Sequence, residues 1–339
     1  MAQPRLDGLL AMDPEVLPAV LPPALLERLR RTLEFGTAAP VTDFGDPAAA
    51  LALRSAEAIV SGWGCPPIDE AVLDAAPRLR AVIHSAGTVK GHVSPLVWER
   101  GVLVSSAASA NALPVAQYTL GMVLLAGKQA FRMAGQYLRY GSGLDKAIED
   151  VGNYDRTVGV IGASRVGRLV LPMLAGQGFR TLVCDPTLDP QEAARLTPSG
   201  GTRLVGLDEL LRASDIVSVH APLLPSTSGL LDKRRLSLMR DGATLVNTAR
   251  GGLVDTEALT RECVSGRINA VLDVTEPEPL PAGHPLLHLP NVVVTPHIAG
   301  ALGNEVAQLG RHAVEEVERL AAGLPLAGLV LRDELAHIA

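Results

Sequence analysis

The stretch that decides the fold is "VGVIGASRVGRLV", residues 158–170. An apolar run of strand length enters it, and a helical pattern, "VGRLVLPMLAGQGF", leaves it. Between them stand Gly162, Ser164 and Gly167. The spacing is that of the strand–turn–helix fingerprint G-x-G-x-x-G of a dinucleotide site, with serine at the middle glycine. A second apolar run, "TLVC", follows and closes on Asp185, 18 residues after Gly167. That is where an acid accepts from the adenosine ribose 2′-hydroxyl. The three turn positions have separate tasks: Gly162 makes the tight turn, Gly167 lets helix and strand pack closely, and the middle position lets backbone approach the pyrophosphate. Serine adds little bulk there, and its hydroxyl can donate to a phosphate oxygen beside the N–H groups of the helix start, at Arg165, Val166 and Gly167. Arg165 either adds a cationic donor or stays solvated. Asp185 repels a 2′-phosphate, and "PTLDP" after it holds no arginine, so the expected cofactor is NAD rather than NADP.

Working outward, strand-length apolar runs recur at "TVGVIG", "TLVCD", "IVSVHAP", "ATLVNTA", "NAVLDV" and "NVVVTPH", mostly separated by helical stretches. Near-continuous apolar strands belong in a parallel sheet covered on both faces. Ligands of such sheets bind beyond the carboxyl ends of the strands. The first third reads as shorter alternating elements, with strands at "AEAIVSGWG", "LRAVIHSAG" and "GVLVSSAA" and one amphipathic helix at "LPPALLERLRRTLEF". Residues 113–140 read as a single long, largely buried helix that also connects the two α/β regions. The tail "LGNEVAQLGRHAVEEVERLAAG" reads as an amphipathic helix able to return to the first region.

The 339 residues are enough for two domains, and 47% of them are hydrophobic. A net charge of −6 argues against a nucleic-acid partner. The start has no basic stretch followed by an apolar one, and no apolar run is long enough for a bilayer, so a cytoplasmic protein is expected. Cys65, Cys184 and Cys263 are few and far apart and read as reduced thiols. His284 and His288 have metal-like spacing, but Pro285 and Pro290 oppose a helix there, and no metal is expected.

Three polar groups close later apolar runs: Arg250 in "VNTARGG", Glu278 in "LDVTEPEPL" and His297 in "VVVTPHIAG". Arginine's planar fork suits a carboxylate. A histidine suits proton exchange with a hydroxyl or carbonyl oxygen, and a carboxylate beside it holds its tautomer.

With these residues in hand, the chain resembles the D-isomer-specific 2-hydroxyacid dehydrogenases, the group of phosphoglycerate dehydrogenase and glyoxylate/hydroxypyruvate reductase. The resemblance runs from about 100 to 300 and is carried by "TVGVIGASRVGR", "VSVHAPLLPSTSGLL", "LVNTARGGLVDTEAL", "AVLDVTEPEPLP" and "HPLLHLPNVVVTPHIAG". It implies two doubly wound α/β domains: a flavodoxin-like substrate domain, 1–112 plus 301–339, and a Rossmann NAD-binding domain, 113–300. It implies that Arg250 anchors a 2-oxo acid, that His297 exchanges the proton and that Glu278 favours its protonated form. Hydride would pass between nicotinamide C4 and substrate C2. Asp273 would lie near the nicotinamide amide, and His220, Pro222, Thr227, Thr248, Ala249 and Gly300 would line the cofactor. Backbone donors at Gly87 and Thr88 would hold the substrate carboxylate, and Trp63 would either floor the substrate pocket or fill a core. The family resemblance also implies a homodimer with 113–140 in the interface. Two positions depart from the family pattern: Val89 stands where an aspartate is usual in the substrate loop, and Gln117 where a glutamate is usual. Two other functions of relatives stay open: oxidation of an unusual anion such as phosphite, and an NAD-sensing corepressor-like role.

Overall fold

A computed structural model describes residues 5–141, 151–197 and 201–337. The chain forms two units, Met1–Asn111 with Ala301–Ala339, and Ala112–Gly300. Among the described residues no helix is long and apolar enough to cross a membrane.

In the first unit the strands are β1 (Leu6–Ala11), β2 (Leu33–Phe35), β3 (Ala58–Ser61), β4 (Ala81–His84) and β5 (Leu103–Ser106). They form one parallel sheet in the order β2-β1-β3-β4-β5, the flavodoxin-like arrangement. All four residues of β3 and of β4 are buried, as strands covered on both faces must be. One face packs Leu9, Ile59, Val82 and Val104 against Leu53 and Val72. The other packs Leu10, Val60 and Ile83 against Leu29, Val314 and Val317. Val314 and Val317 belong to the tail helix Val306–Ala321, which buries an i, i+3, i+4 stripe here. At Gly310 that helix touches backbone: an added Cβ would lie 1.7 Å from the Val20 carbonyl oxygen. The expected helix over "LPPALLERLRRTLEF" stops early, at Pro23–Arg30, and its last residues are β2. Pairing with β1 overrides helical periodicity there, beginning with Leu6 N–H to Thr32 O at 2.9 Å.

The second unit holds β6 (Thr157–Ile161), β7 (Arg180–Cys184), β8 (Arg203–Leu204), β9 (Ile216–Val219), β10 (Thr244–Asn247), β11 (Asn269–Leu272) and β12 (Val292–Val294). The order β12-β11-β10-β9-β6-β7-β8 is a Rossmann sheet with all strands parallel, and the order of strand addition reverses between β6 and β9. The expected single helix over 113–140 is two, Ala108–Gly127 and Ala130–Tyr140. The break has a local cause. Gly152 N–H takes the Gly127 carbonyl at 2.7 Å, Asn153 Nδ2 takes the Leu124 carbonyl at 3.0 Å, and Gln129 turns left-handed at φ +47. Carbonyls that would continue the helix are satisfied from outside it.

Candidate active site

The turn after β6 assigns each of its three positions a different tolerance. Gly162 has φ +93, and a Cβ there would lie 2.7 Å from Ala221 N. Both the backbone angle and the space demand glycine. At Gly167 a Cβ would lie 2.1 Å from the Gly162 carbonyl oxygen, so helix and strand meet with no room for a side chain. Ser164, in contrast, has φ −63 and ψ −178, extended backbone open to any residue. Its Oγ accepts from Gly167 N–H at 3.4 Å and caps the helix Arg165–Gly176. The serine proton remains available to a ligand. Arg165 is exposed and Val166 half-buried at the start of that helix.

Asp185 follows β7 and closes on this turn. Its Oδ2 accepts from Ala163 N–H at 2.6 Å, and its Oδ1 from the Thr187 N–H at 2.8 Å and hydroxyl at 2.6 Å. His220, after β9, is buried with Nε2 2.8 Å from Ser218 Oγ, and burial pushes it down to about 3. It is therefore a neutral wall at neutral pH. Thr227 Oγ1 donates to Pro222 O at 2.6 Å and accepts from Leu224 N–H at 2.8 Å, which folds 222–227 onto itself. A glycine-tight turn, a capped helix N-terminus and a pinned carboxylate fit the adenosine diphosphate half of a dinucleotide.

At the exit of β10, the Asn247 side chain donates to Arg250 O at 2.8 Å and accepts from Ala249 N–H at 3.0 Å. This bracket fixes Thr248, Ala249 and Arg250 as they leave the strand. Gly251 then packs on the 275–276 backbone, where a Cβ would lie 2.0 Å from Thr275 O. Burial pulls the half-buried Arg250 guanidinium below its ordinary pKa, and nearby Glu278 opposes the shift.

His297 Nδ1 lies 2.7 Å from Glu278 Oε1, and both side chains are about half exposed, at 52% and 42%. A carboxylate only accepts, so Nδ1 donates and Nε2 is left for a ligand. His297 has φ +54, a left-handed conformation that a side chain adopts only under constraint. The constraint comes from Asp273, which is buried after β11. Its carbonyl takes His297 N–H at 3.0 Å, and its carboxylate takes Ile298 and Ala299 N–H at 2.9 Å each. Thr295 Oγ1 adds a fourth bond to Asp273 Oδ1 at 2.6 Å, and Gly300 ends the unit. Asn247 and Thr295 were missed by sequence reasoning. Their signal is present, a polar residue closing an otherwise apolar strand run.

In the first unit Gly87 is half-buried, Thr88 exposed and Val89 fully buried in the core. Val89, the departure noted in the substrate loop, is thus a packing position here. Trp63 is 43% exposed rather than a core filler. Gln117 faces outward from its helix.

Residues 120–299 match the NAD-binding domain of the D-isomer specific 2-hydroxyacid dehydrogenases. The chain is 34% identical over 276 residues to D-3-phosphoglycerate dehydrogenase of Mycobacterium tuberculosis, covering 79% of this chain and 51% of that protein. With the enzyme of that name from Archaeoglobus fulgidus the identity is 32%, over 78% of this chain and 49% of the relative. The chain thus spans about half the length of the curated relatives it matches. Among solved structures, a protein of Thermus thermophilus is 31% identical with a TM-score of 0.74, over 96% of this chain and 99% of that one. A D-lactate dehydrogenase from Aquifex aeolicus, complexed with NAD and lactic acid, is 26% identical with a TM-score of 0.70, over 93% and 96%. The chain belongs to the D-isomer specific 2-hydroxyacid dehydrogenase family.

Proposed function

We propose that this protein is an NAD-dependent oxidoreductase acting on a small D-2-hydroxy or 2-oxo acid. The observation that carries the reading is the His297–Glu278 pair, 2.7 Å apart, in electrostatic reach of Arg250 at the end of a Rossmann sheet. NAD, when bound, supplies the hydride acceptor or donor at nicotinamide C4. Ser164 and the N–H groups of Arg165, Val166 and Gly167 would hold its pyrophosphate beside Gly162, and Asp185 its adenosine ribose. His220, Pro222, Thr227, Thr248 and Ala249 would line it, with Asp273 and Gly300 near the carboxamide.

The remaining work falls to side chains of this chain. Arg250 pairs its fork with the substrate carboxylate. Gly87, Thr88 and Trp63 of the first unit are proposed to contribute further to substrate binding. In reduction, His297 gives the Nε2 proton to the substrate oxygen as charge develops there; in oxidation it takes that proton back. Glu278 stabilises the imidazolium through Nδ1 and fixes the ring. The relatives named for phosphoglycerate and lactate both act on 2-hydroxy acids, which supports the substrate class without choosing a member. Exposed Leu113, Leu125, Phe131, Tyr137 and Leu138 on the two helices over 108–140 support a homodimer, and the composition supports a cytoplasmic location.

The test is NADH oxidation with glyoxylate, hydroxypyruvate, pyruvate and branched or aromatic 2-oxo acids, repeated with NADPH. Turnover of at least one acid with NADH preferred is the expected result. NADH binding without turnover of any acid contradicts the enzyme reading and favours a sensor, and a clear NADPH preference contradicts the role given to Asp185.

A further inference from the structure

The helix Ala108–Gly127 carries two adjacent hydroxyls, Tyr118 and Thr119, that no step above uses. Neighbouring helical positions diverge by roughly 100°, so the two side chains reach different strand ends. Tyr118 Oη lies 2.7 Å from Thr295 Oγ1, and Thr119 Oγ1 lies 2.9 Å from Thr248 Oγ1. Thr295 stands two residues before His297, and Thr248 two before Arg250.

Counting protons fixes the direction of the first contact. Thr295 Oγ1 is 2.6 Å from Asp273 Oδ1, and a carboxylate only accepts. The one Thr295 proton is committed there, so Tyr118 must donate to Thr295. The chain runs from Tyr118 O–H to Thr295 O–H to the Asp273 carboxylate, each bond polarising the next. Asp273 in turn holds Ile298 and Ala299, the residues directly after His297. Tyr118 is half-buried, and burial raises its hydroxyl pKa, which keeps it a donor. The second contact is simpler. Thr119 is fully buried, and its bond fixes Thr248, while Asn247 brackets Ala249 and Arg250 from the other side.

We propose that Tyr118 and Thr119 are positioning residues for the reaction, Tyr118 setting the His297 turn through Thr295 and Asp273, and Thr119 setting the exit of Arg250 from β10. The proposal rests on the assignment of His297 and Arg250 made above. It explains how a histidine stays at φ +54 while half its side chain is in solvent: the turn is bonded to a helix as well as to its own strand. It also divides the labour. Loss of the Tyr118 hydroxyl loosens the proton-transfer group, and loss of the Thr119 hydroxyl loosens the carboxylate anchor.

The test uses the whole protein with NADH and whichever 2-oxo acid it turns over. Tyr118→Phe keeps the ring and should lower kcat about fivefold, the effect of one neutral hydrogen bond, with KM moving less than about twofold. Thr119→Val keeps the volume and should raise KM for the oxo acid about fivefold with kcat moving less, whereas Thr119→Ser should restore wild-type KM. If Tyr118 acts through Thr295, Tyr118→Phe added to Thr295→Val should cost nothing further. Unchanged kcat in Tyr118→Phe, additive losses in that pair, or a Thr119→Ser that behaves like Thr119→Val overturns the proposal. Should no acid be turned over, NMR of the histidine rings decides alone. The His297 resonances, assigned by their loss in His297→Ala, should move in Tyr118→Phe, and unmoved resonances overturn the proposal independently of the enzyme reading.

Discussion

Both parallel sheets carry histidines at their carboxyl edges, and two of them, His84 in the first and His297 in the second, stand in opposite surroundings. In the first unit His84 closes β4 with 3% exposure, its ring 4.4 Å from that of His92 and its Nδ1 3.0 Å from Ser61 Oγ. Burial, with His92 adding to it, pushes His84 down to about 3. In the second unit His297 stands about half in solvent with a carboxylate on Nδ1. A histidine at a strand end is thus a neutral packing group at His84, as at His220, and a half-exposed, carboxylate-paired group at His297, the one proposed to transfer the proton. Location at a strand end does not make a histidine chemical; exposure and a carboxylate partner do.

The largest effect that sharpens this contrast is on turnover. His297→Ala should lower kcat about a thousandfold, the usual scale for losing a general acid–base, with NADH binding retained in a fluorescence titration. His84→Ala should instead lower the melting temperature. A loss of kcat in His84→Ala as deep as that in His297→Ala would break the comparison.

A smaller effect concerns acid stability. The unfolded chain protonates His84 near 6.5, while the folded chain keeps it neutral down to about 3. Unfolding therefore takes up a proton below pH 6.5, and stability falls as pH drops through that window. At pH 5 this amounts to about 2 kcal/mol for one such histidine. In urea titrations, His84→Asn should lose about that much less than wild type between pH 7 and pH 5. Equal losses would place a proton on His84 in the folded protein. Buried His220 imposes the same sign on the second unit, and it stays in both proteins compared.

The smallest effect tests the turn after β6, the part of the second edge that carries no histidine. Ser164→Gly should cost a few tenths of a kcal/mol in stability and keep NADH binding, since glycine caps nearly as well. Ser164→Val removes the cap, costs about 1 kcal/mol and should weaken NADH binding measurably. Normal NADH affinity in Ser164→Val would mean that the turn does not approach the phosphates.

The second sheet was readable from sequence because its strands are short apolar runs, and the residues proposed for its site stand where such runs end. Gly162, Asp185, Arg250 and His297 all stand at such ends. The first sheet was less so. β1, "LDGLLA", has a glycine at its centre, and the reason lies far away: a Cβ on Gly8 would meet Ala58 O at 2.6 Å. β2 is three residues at the foot of a helical pattern, visible only through its pairing with β1. The break at Gln129 depends on Gly152 and Asn153, more than twenty residues on. Ser164 was read for its size and hydroxyl, whereas its extended backbone angle and its capping bond show that this position does not need glycine's backbone freedom. The His84–His92 pair, a buried ring against a half-buried one, carried no periodic or motif signal: His84 ends β4 and His92 lies eight residues on in the loop after the same strand, a spacing that follows neither the helical nor the strand period.

The most direct measurement is the fate of the hydride. With NADH carrying deuterium at both C4 positions, and a 2-oxo acid that the protein reduces, the product should carry one deuterium at C2 and have the D configuration, and His297→Ala should abolish its formation. Deuterium lost to solvent, an L product, or undiminished transfer in His297→Ala would contradict a site built on Arg250, Glu278 and His297.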